Sequence, residues 1–262
     1  PSSVVEAPHY FNFVLGGLKF SLSQTVVNTW VLMLIIMFIV GAGTKKASVE
    51  NPSKMQIVME EYYHFIENTF LTTFGKHKKT YVPFFSALFA FIMFSNLSTF
   101  LFPYIMMVVN EDGVKMVKPF FRTPTADPNT TIGLSLVVIV LFLAVSIKQK
   151  GLRGYIKSLF EPMWFMFPLN IVDIFSKVLN TSMRLFGNML AGLVIVGLLY
   201  SLVGRGLLQS LTHDMLKGSF SFSVGWPMII QLYLDLFIGI VQAFVFTILS
   251  SVYISEALGE EE

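Results

Sequence analysis

A single arginine, Arg184, lies inside the apolar stretch SMRLFGNMLAGLVIVGLLYSLV, and no other basic residue lies within six positions of it. An arginine at the centre of a membrane-spanning helix costs about 2.5–3.5 kcal/mol on insertion scales. The guanidinium group cannot avoid this cost by losing its proton, because its pKa lies above about 12. A permanent positive charge in an apolar helix is therefore a hypothesis of function, and the function that it indicates is the handling of ions.

Other polar residues are predicted to lie on the same helical face as Arg184. Spacings of three, four and seven residues place side chains on one side of an α-helix. The residues at these spacings are Asp173, Lys177, Asn180 or Thr181, and Asn188. Two interpretations stay open for this stripe. It lines a path for ions, or Asp173 and Lys177 neutralise each other while Asn188 hydrogen-bonds to a neighbouring helix.

A second polar stripe follows closer to the C-terminus. At helical spacing it contains Gln231, Asp235, Gly239, Gln242, Phe246 and Tyr253. Asp235 has no basic residue within ten positions along its own helix, which favours a functional role or a pairing with Arg184. Gln242 has a second interpretation, as a structural residue that hydrogen-bonds between helices. Two helices with such polar edges could enclose water-accessible paths.

The composition places these helices in a membrane protein. Of the 262 residues, 54% are hydrophobic and only 13% are charged, whereas soluble domains carry about 25% charged residues. The net charge of +2 is small and its basic residues are dispersed, which gives no support for nucleic-acid binding. The absence of cysteine excludes disulfides and thiol catalysis. The four histidines are scattered, so neither a metal site nor a cofactor is expected.

Apolar segments of about 20 residues cross a bilayer, and their number predicts an all-α polytopic membrane protein with about five membrane helices. A further segment has apolar residues at helical spacing with three glutamates among them, which predicts an amphipathic helix on the membrane surface. The last two apolar segments are long enough to require strong tilt. Within a single membrane domain, 1–262, the predicted elements are a first span at 24–42, the amphipathic helix at 51–74, spans at 81–107 and 131–147, and long tilted helices at 162–203 and 226–257.

The distribution of basic residues predicts the orientation of the chain. Residues 44–80 carry six lysines, and residues 148–158 carry four lysines or arginines. Basic residues near membrane spans stay on the inner side of the membrane. The N-terminus is therefore predicted to lie outside, and both basic segments and the acidic C-terminus are predicted to lie inside.

Around these polar residues, the sequence resembles the a subunit of the F-type ATP synthase membrane sector. The similarity is carried by RLFGNMLAG around Arg184 and by QAFVFTILSSVYISEAL from Gln242 onward. PTADPNTT before the third span, the basic segment KQKGLRGY and the N-terminal HYFNF are also similar to that family. The resemblance covers nearly the whole chain in order and is strongest to the bacterial or plastid branch.

The resemblance implies a subunit that is not an enzyme on its own, because ATP chemistry belongs to a separate soluble sector. It implies two long helices against a rotating ring of c subunits, whose carboxylates carry the ion, a proton or possibly sodium. An outer half-channel loads a ring carboxylate, an inner half-channel unloads it, and Arg184 faces the ring between them. Peripheral-stalk b subunits, the rest of the synthase and the lipid bilayer are the other implied partners. The implied location is a bacterial plasma membrane, with the thylakoid membrane as the alternative.

The resemblance also implies roles for single residues, besides the arginine. Asn188 and Gln242 match positions that flank it, and Asp173 matches a carboxylate that lines one access path. The predicted ion-translocation residues also include Lys177 and Tyr253. Asp127 and Asn129 are implied near the outer entry.

Three positions depart from the family's pattern. Many members carry glutamate or histidine nine residues after the arginine, where this chain has Leu193. Asp235 lies seven residues before Gln242, where other members have glutamate or histidine, so the outer path is expected to depend on this one carboxylate. Pro128 within the loop signature is also less usual.

Two other classes of function remain as alternatives. A cation-coupled secondary transporter usually has repeated halves and unwound helices near a central site, and this sequence shows no internal repeat. An intramembrane enzyme needs a nucleophile with a base, or a cluster of metal ligands, and the sequence indicates neither. The phosphate-binding pattern GxxxxGKS or GxxxxGKT is also absent, which fits a subunit without ATP chemistry of its own.

Overall fold

The computed structural model describes residues 9–15, 18–45, 47–101, 106–111, 114–119, 123–160, 163–205 and 233–259. The described part of the chain is mainly helical, which confirms the predicted all-α polytopic membrane fold. Among the described residues, four helices are long and apolar enough to cross a membrane, namely Thr25–Thr44, Thr72–Ser98, Pro128–Ser158 and Leu236–Leu258. The α-helices are α1 (Gln24–Thr44), α2 (Lys54–Phe70), α3 (Lys78–Leu101), α4 (Pro128–Ser158), α5 (Phe167–Arg205) and α6 (Gly239–Leu258).

Helix α5 is the longest of these helices, with 39 residues. At about 1.5 Å per residue it is nearly 60 Å long, about twice the thickness of the hydrocarbon core of a bilayer. A helix of this length needs tilt or partial exposure to fit a membrane, so the strong tilt stays a prediction. The last of the five predicted membrane helices, 226–257, is described from Tyr233 onward, and residues 226–232 lie outside the described part.

Two short antiparallel hairpins accompany the helices. The first pairs β1 (His9–Leu15) with β2 (Leu18–Ser23), and it leads directly into α1. The second pairs β3 (Met106–Glu111) with β4 (Val114–Pro119), between α3 and α4. The sequence pattern extended the second span to 107 and predicted a loop after it, but the helix ends at Leu101 and a strand begins at Met106. The two valines of VKMVKP favour a strand, but so short a segment is easily missed beside a long apolar one.

The basic segment after the third span is helical, which corrects the predicted end of that span at 147. Helix α4 continues to Ser158 and contains KQKGLRGY. Lysine and arginine are good helix formers, and Lys148, Lys150 and Arg153 are exposed, so their charge does not end the helix. Gly151 has a φ of 70°, which produces a kink that glycine adopts without a steric penalty.

Helix α2 is amphipathic, and its inner face joins the core. It begins after Ser53, whose side chain accepts a hydrogen bond from the backbone N–H of Gln56 at 3.2 Å. The Tyr62 hydroxyl donates to the backbone carbonyl of Ser86 in α3 at 2.6 Å, and burial raises the pKa of Tyr62. These contacts attach α2 to α3, while Glu60 and Glu61 on the opposite face are exposed.

The core lies among α2, α3, α4 and α6 and consists largely of phenylalanine. The Phe70 ring lies 5.5 Å from the Phe89 ring and 5.3 Å from the Phe244 ring, between centroids. Such tilted aromatic pairs contribute about 0.5–1.5 kcal/mol beyond the burial of their area. The Ser251 hydroxyl donates to the backbone carbonyl of Phe70, which connects the end of α2 to α6. This core fixes the position of α6, the helix that carries most of the candidate site.

Candidate functional site

Helix α6 follows a π-helical turn, Leu234–Ile238, and Asp235 lies in this turn. In a π-helical turn, backbone hydrogen bonds join residues five apart instead of four apart, so the regular α-helical pattern is interrupted. Single π-turns inside helices occur frequently at functional sites. The predicted outer-path carboxylate is therefore carried by an irregular turn at the start of a membrane helix.

A buried polar cluster lies beside this turn, and we call it the Asn96 cluster. It consists of Asn96 in α3, Thr125 in the 3₁₀ turn Pro124–Ala126, and Gly239 at the start of α6. The Asn96 side-chain N–H donates to the Gly239 carbonyl at 2.8 Å, and the Thr125 hydroxyl donates to the Asn96 side-chain oxygen at 2.5 Å. Asn96 is 2% exposed and Thr125 is 0% exposed. Two hydrogen bonds thus connect α3, the turn before α4, and α6.

Gly239 allows the close contact between α3 and α6. A Cβ atom at this position would lie 3.0 Å from the Cβ of Asn96 and 3.7 Å from Cδ1 of Leu97. The first distance is below normal van der Waals contact between carbon atoms, about 3.5–4.0 Å. Any larger residue here would push the two helices apart and lengthen the Asn96 hydrogen bond.

Asp127, predicted near the outer entry, caps the N-terminus of α4. One carboxylate oxygen accepts from the backbone N–H of Asn129 at 2.9 Å, and the other accepts from the Thr25 hydroxyl in α1 at 2.7 Å. A capping carboxylate satisfies backbone donors that the helix leaves open and interacts favourably with the helix dipole. Asn129 is exposed in the first turn of α4. Asp127 therefore connects α1 to α4 beside the Asn96 cluster, a structural role that the sequence did not indicate.

A second polar cluster lies at the other end of α6, and we call it the Lys177 cluster. The Lys177 ammonium lies 3.2 Å from an Asp173 oxygen and 3.4 Å from a Glu256 oxygen. It also lies 5.3 Å above the Phe142 ring and 5.2 Å above the Tyr253 ring, measured to the centroids. These are cation–π distances, which favour a cation between the two rings.

The lysine and the two carboxylates of the Lys177 cluster differ strongly in their exposure to solvent. The Lys177 side chain is 16% exposed, whereas Asp173 and Glu256 are 60% and 63% exposed. Ion pairs with exposed carboxylates contribute about 0–1 kcal/mol, so these contacts do little for stability. The arrangement instead presents two carboxylates at the protein surface with a lysine partly buried behind them. Of the two sequence interpretations, mutual neutralisation of Asp173 and Lys177 describes only part of it, since Glu256 shares the lysine.

The two clusters are separated by nearly the thickness of a membrane. Gly239 is the first residue of α6 and Glu256 lies two residues before its end. At about 1.5 Å per residue they are roughly 25 Å apart, close to the hydrocarbon thickness of about 30 Å. One apolar membrane helix therefore has a polar cluster at each end.

Arg184 lies on α5, a helix that reaches both clusters. It follows Lys177 by seven residues, a rise of about 10 Å along the helix. Helix α5 carries Asp173 and Lys177 of the Lys177 cluster, and it also contacts the Pro124–Ala126 turn and the π-turn of Asp235 beside the Asn96 cluster. Arg184 is partly buried, and its neighbour Leu185 is fully buried in the core. Among the carboxylates whose side chains the structure describes, a set that does not include Asp235, none forms an ion pair with Arg184.

The remaining predicted site residues differ in what the structure describes of them. Gln242 is 3% exposed and lies one turn after Gly239 in α6. Asn188 is part of α5 and Asp235 is part of the π-turn, while both side chains lie outside the described residues. Among the described residues, no group of three or more histidines, aspartates or glutamates could hold a metal ion.

Sequence reasoning assigned no role to Asn96, Thr125 and Glu256 of the two clusters, or to Thr25, which binds Asp127. Asn96 had a visible signal, because it is a lone amide in a Phe-rich span, and polar groups in such spans need partners. Its partners were not visible, since Gly239 is 143 residues away along the chain and Thr125 is 29 residues away.

Comparison with known proteins identifies a family for this arrangement of helices and polar residues. The family model for the ATP synthase A chain matches residues 26–255. A relative from Propionigenium modestum, "ATP synthase subunit a, sodium ion specific", is 39% identical over 98% of this chain and 83% of its own length. Subunit a of Moorella thermoacetica is 31% identical over 88% of this chain and 89% of its own. Subunit a of Bacillus subtilis is 31% identical over 94% of this chain and 95% of its own length.

These matches agree with the predicted function and leave the alternative of a secondary transporter without support. They cover both long C-terminal helices, both polar clusters and Arg184. The chain therefore belongs to the family of ATP synthase A chains, the ion-translocating, non-catalytic subunit a of the F0 membrane sector in ATP synthesis.

Proposed function

We propose that the two polar clusters mark two half-channels, one from each side of the membrane, that meet a ring of c subunits on either side of Arg184. One observation carries this proposal: α6 has a buried polar cluster at one end and a charged cluster at the other, and α5, the helix of Arg184, supplies Lys177 to the second and contacts the turns beside the first. Neither cluster spans the membrane alone. An ion that enters at one cluster must therefore travel on a moving carrier to reach the other.

The carrier is a carboxylate on each c subunit, and Arg184 controls its charge. A fixed cation stabilises a deprotonated carboxylate strongly where the dielectric constant is low. A ring carboxylate therefore gives up its ion before it passes Arg184 and takes one up after it has passed. The same positive charge repels free cations and prevents a direct leak between the half-channels. Arg184 transfers no proton in this scheme.

The polar residues divide between the two half-channels. Asp235 takes up or releases the ion on the outer side, and Asp127 and Asn129 lie near the entry to this path. Asp173, Lys177 and Tyr253 line the inner path, and Glu256 adds a second exposed carboxylate there. Asn188 and Gln242 flank Arg184 and provide polar side chains at the meeting point of the two paths.

The partners follow from the same scheme. They are the ring of c subunits, the peripheral-stalk b subunits that hold the chain against rotation, and the rest of the synthase. The N-terminus lies outside and the C-terminus inside, so the Lys177 cluster faces the cytoplasm of a bacterium whose plasma membrane holds the complex. The thylakoid membrane is the alternative location.

The coupling ion is a proton in this proposal, with sodium as the alternative. The relative from Propionigenium modestum is named sodium ion specific, which is the observation that favours the alternative. Proton and sodium gradients applied separately to the reconstituted complex would distinguish them.

Site-specific crosslinking tests the contact with the ring. A photoreactive benzoylphenylalanine at Asn180, which is exposed on the same helical face as Arg184, should crosslink to a small apolar ring subunit in the assembled complex. The control carries the same group at Leu34, which is exposed on α1, a helix that packs against α2 and α3. Failure of Asn180 to crosslink to the ring, or equal crosslinking from Leu34, would contradict the proposed position of α5.

A further inference from the structure

Both the N–H and the oxygen of the Asn96 side-chain amide form buried hydrogen bonds to other elements. Its N–H donates to the Gly239 carbonyl, and its oxygen accepts from the Thr125 hydroxyl. The Gly239 carbonyl can only accept, so it requires the amide N–H on its side, and the Thr125 hydroxyl then holds this orientation by donating to the amide oxygen. Since both side chains are almost completely buried, removal of one partner would leave polar groups without hydrogen bonds inside the protein.

The contact is made at the end of the π-helical turn that carries Asp235. Gly239 directly follows this turn and lies four residues after Asp235. The carbonyl of Gly239 is therefore held from the side by α3, at a point where α3 and α6 approach too closely for a Cβ atom. Thr125 lies two residues before Asp127, which in turn caps α4 and binds Thr25 at the start of α1. Contacts from α1 and from the turn before α4 are thus connected, through Thr125 and Asn96, to the Gly239 carbonyl directly after the π-turn.

We propose that Asn96, oriented by Thr125, is a positioning residue that fixes the π-turn and thereby the location of Asp235. The inference deepens the proposed function and rests on it, because it assumes that Asp235 serves the outer half-channel. Asn96 does not bind the ion in this account. It sets where the carboxylate stands relative to the ring, and a displacement of about 1 Å in such a group is enough to reduce a rate strongly.

The test uses the assembled, reconstituted complex and measures ATP synthesis against the ion concentration on each side. Proton and sodium concentrations are varied in separate series. Asn96→Leu removes both hydrogen bonds with little change in size, and Thr125→Val removes the orienting hydroxyl. Thr125→Ser restores that hydroxyl. Thr247→Val is the matched control, because Thr247 is fully buried and its hydroxyl donates within α6 to the carbonyl of Ala243.

We expect Asn96→Leu and Thr125→Val to raise the half-saturating outer ion concentration roughly fivefold to tenfold, the effect of about one net hydrogen bond. The half-saturating inner concentration in ATP-driven pumping should not change. Thr125→Ser should return to the unmodified value, and Thr247→Val should stay there. In the background of Asp235→Asn, Asn96→Leu should have no additional effect on the outer concentration.

A purely structural role of Asn96 would give a different result. It would lower the amount of assembled complex and the maximal rate without shifting the dependence on the outer ion. An unchanged outer dependence in Thr125→Val, an equal shift in Thr247→Val, or a defect that Thr125→Ser does not correct would overturn the inference. If Asn96→Leu does not assemble, Thr125→Val and Thr125→Ser decide the question. Pumping by Arg184→Ala at the normal rate would instead contradict the proposed function itself.

Discussion

Replacement of Arg184 by alanine is expected to abolish ATP-driven ion pumping in a complex that still assembles. Without the guanidinium group, a ring carboxylate has no fixed positive charge beside it and keeps its ion as it passes between the half-channels. A loss of about 3 kcal/mol in this step corresponds to a fall in rate of roughly 100-fold. Pumping is measured in inverted vesicles, with the quantity of assembled complex determined in the same preparation.

Arg153→Ala is the control for this experiment. Arg153 is an exposed arginine in the basic part of α4, and its removal changes the net charge by the same amount as the removal of Arg184. We expect normal pumping in this variant. Near-normal pumping by Arg184→Ala in an intact complex would show that the arginine is structural and that the proposed mechanism is wrong.

Asp235→Asn is expected to slow coupled transport by about 100-fold, the lower end of the effect of removing a group that transfers protons. Asparagine keeps the size of the side chain and its ability to hydrogen-bond, so the π-turn and assembly should be unaffected. ATP synthesis driven by an imposed ion gradient measures the effect. The expectation follows from the absence of a second acidic or basic residue at position 193, where this chain has leucine.

Glu61→Gln provides the comparison for Asp235→Asn. Glu61 is an exposed carboxylate on the outer face of α2, so its neutralisation should leave synthesis unchanged. Full activity of Asp235→Asn would remove this residue from the ion path. A defect of equal size in Glu61→Gln would attribute the loss to net charge and not to the outer half-channel.

The apolar segments and the charge of Arg184 made the fold class and the general function predictable. Length and composition decide whether a segment crosses a membrane, because each backbone polar group must be satisfied inside the segment itself. The spacing of Asp173 and Lys177 also predicted their contact, since residues four apart meet on a helix. These predictions need only local information.

Contacts between distant segments could not be predicted in this way. Glu256 binds Lys177 across 79 residues, and the position of Asn96 opposite Gly239 depends on how α3 packs against α6. The π-turn has no sequence signal of its own in LDLFI, which reads as regular helix.

In the proposed mechanism, two ion paths reach the protein from opposite sides of the membrane and do not join. The chain contains no cysteine, so single cysteines can be introduced without removing any. Asp235→Cys, Asp173→Cys and Leu34→Cys would be treated with a charged, membrane-impermeant thiol reagent from each side of the membrane. Such reagents need a thiolate, which does not form in lipid, so Leu34→Cys on the apolar face of α1 should react from neither side.

In vesicles that contain the assembled complex, we expect Asp235→Cys to react only from the outside and Asp173→Cys only from the inside. Reaction of either cysteine from both sides would mean a continuous channel. Reaction of both from the same side would mean that the two clusters belong to one path, and either result would contradict the two half-channels.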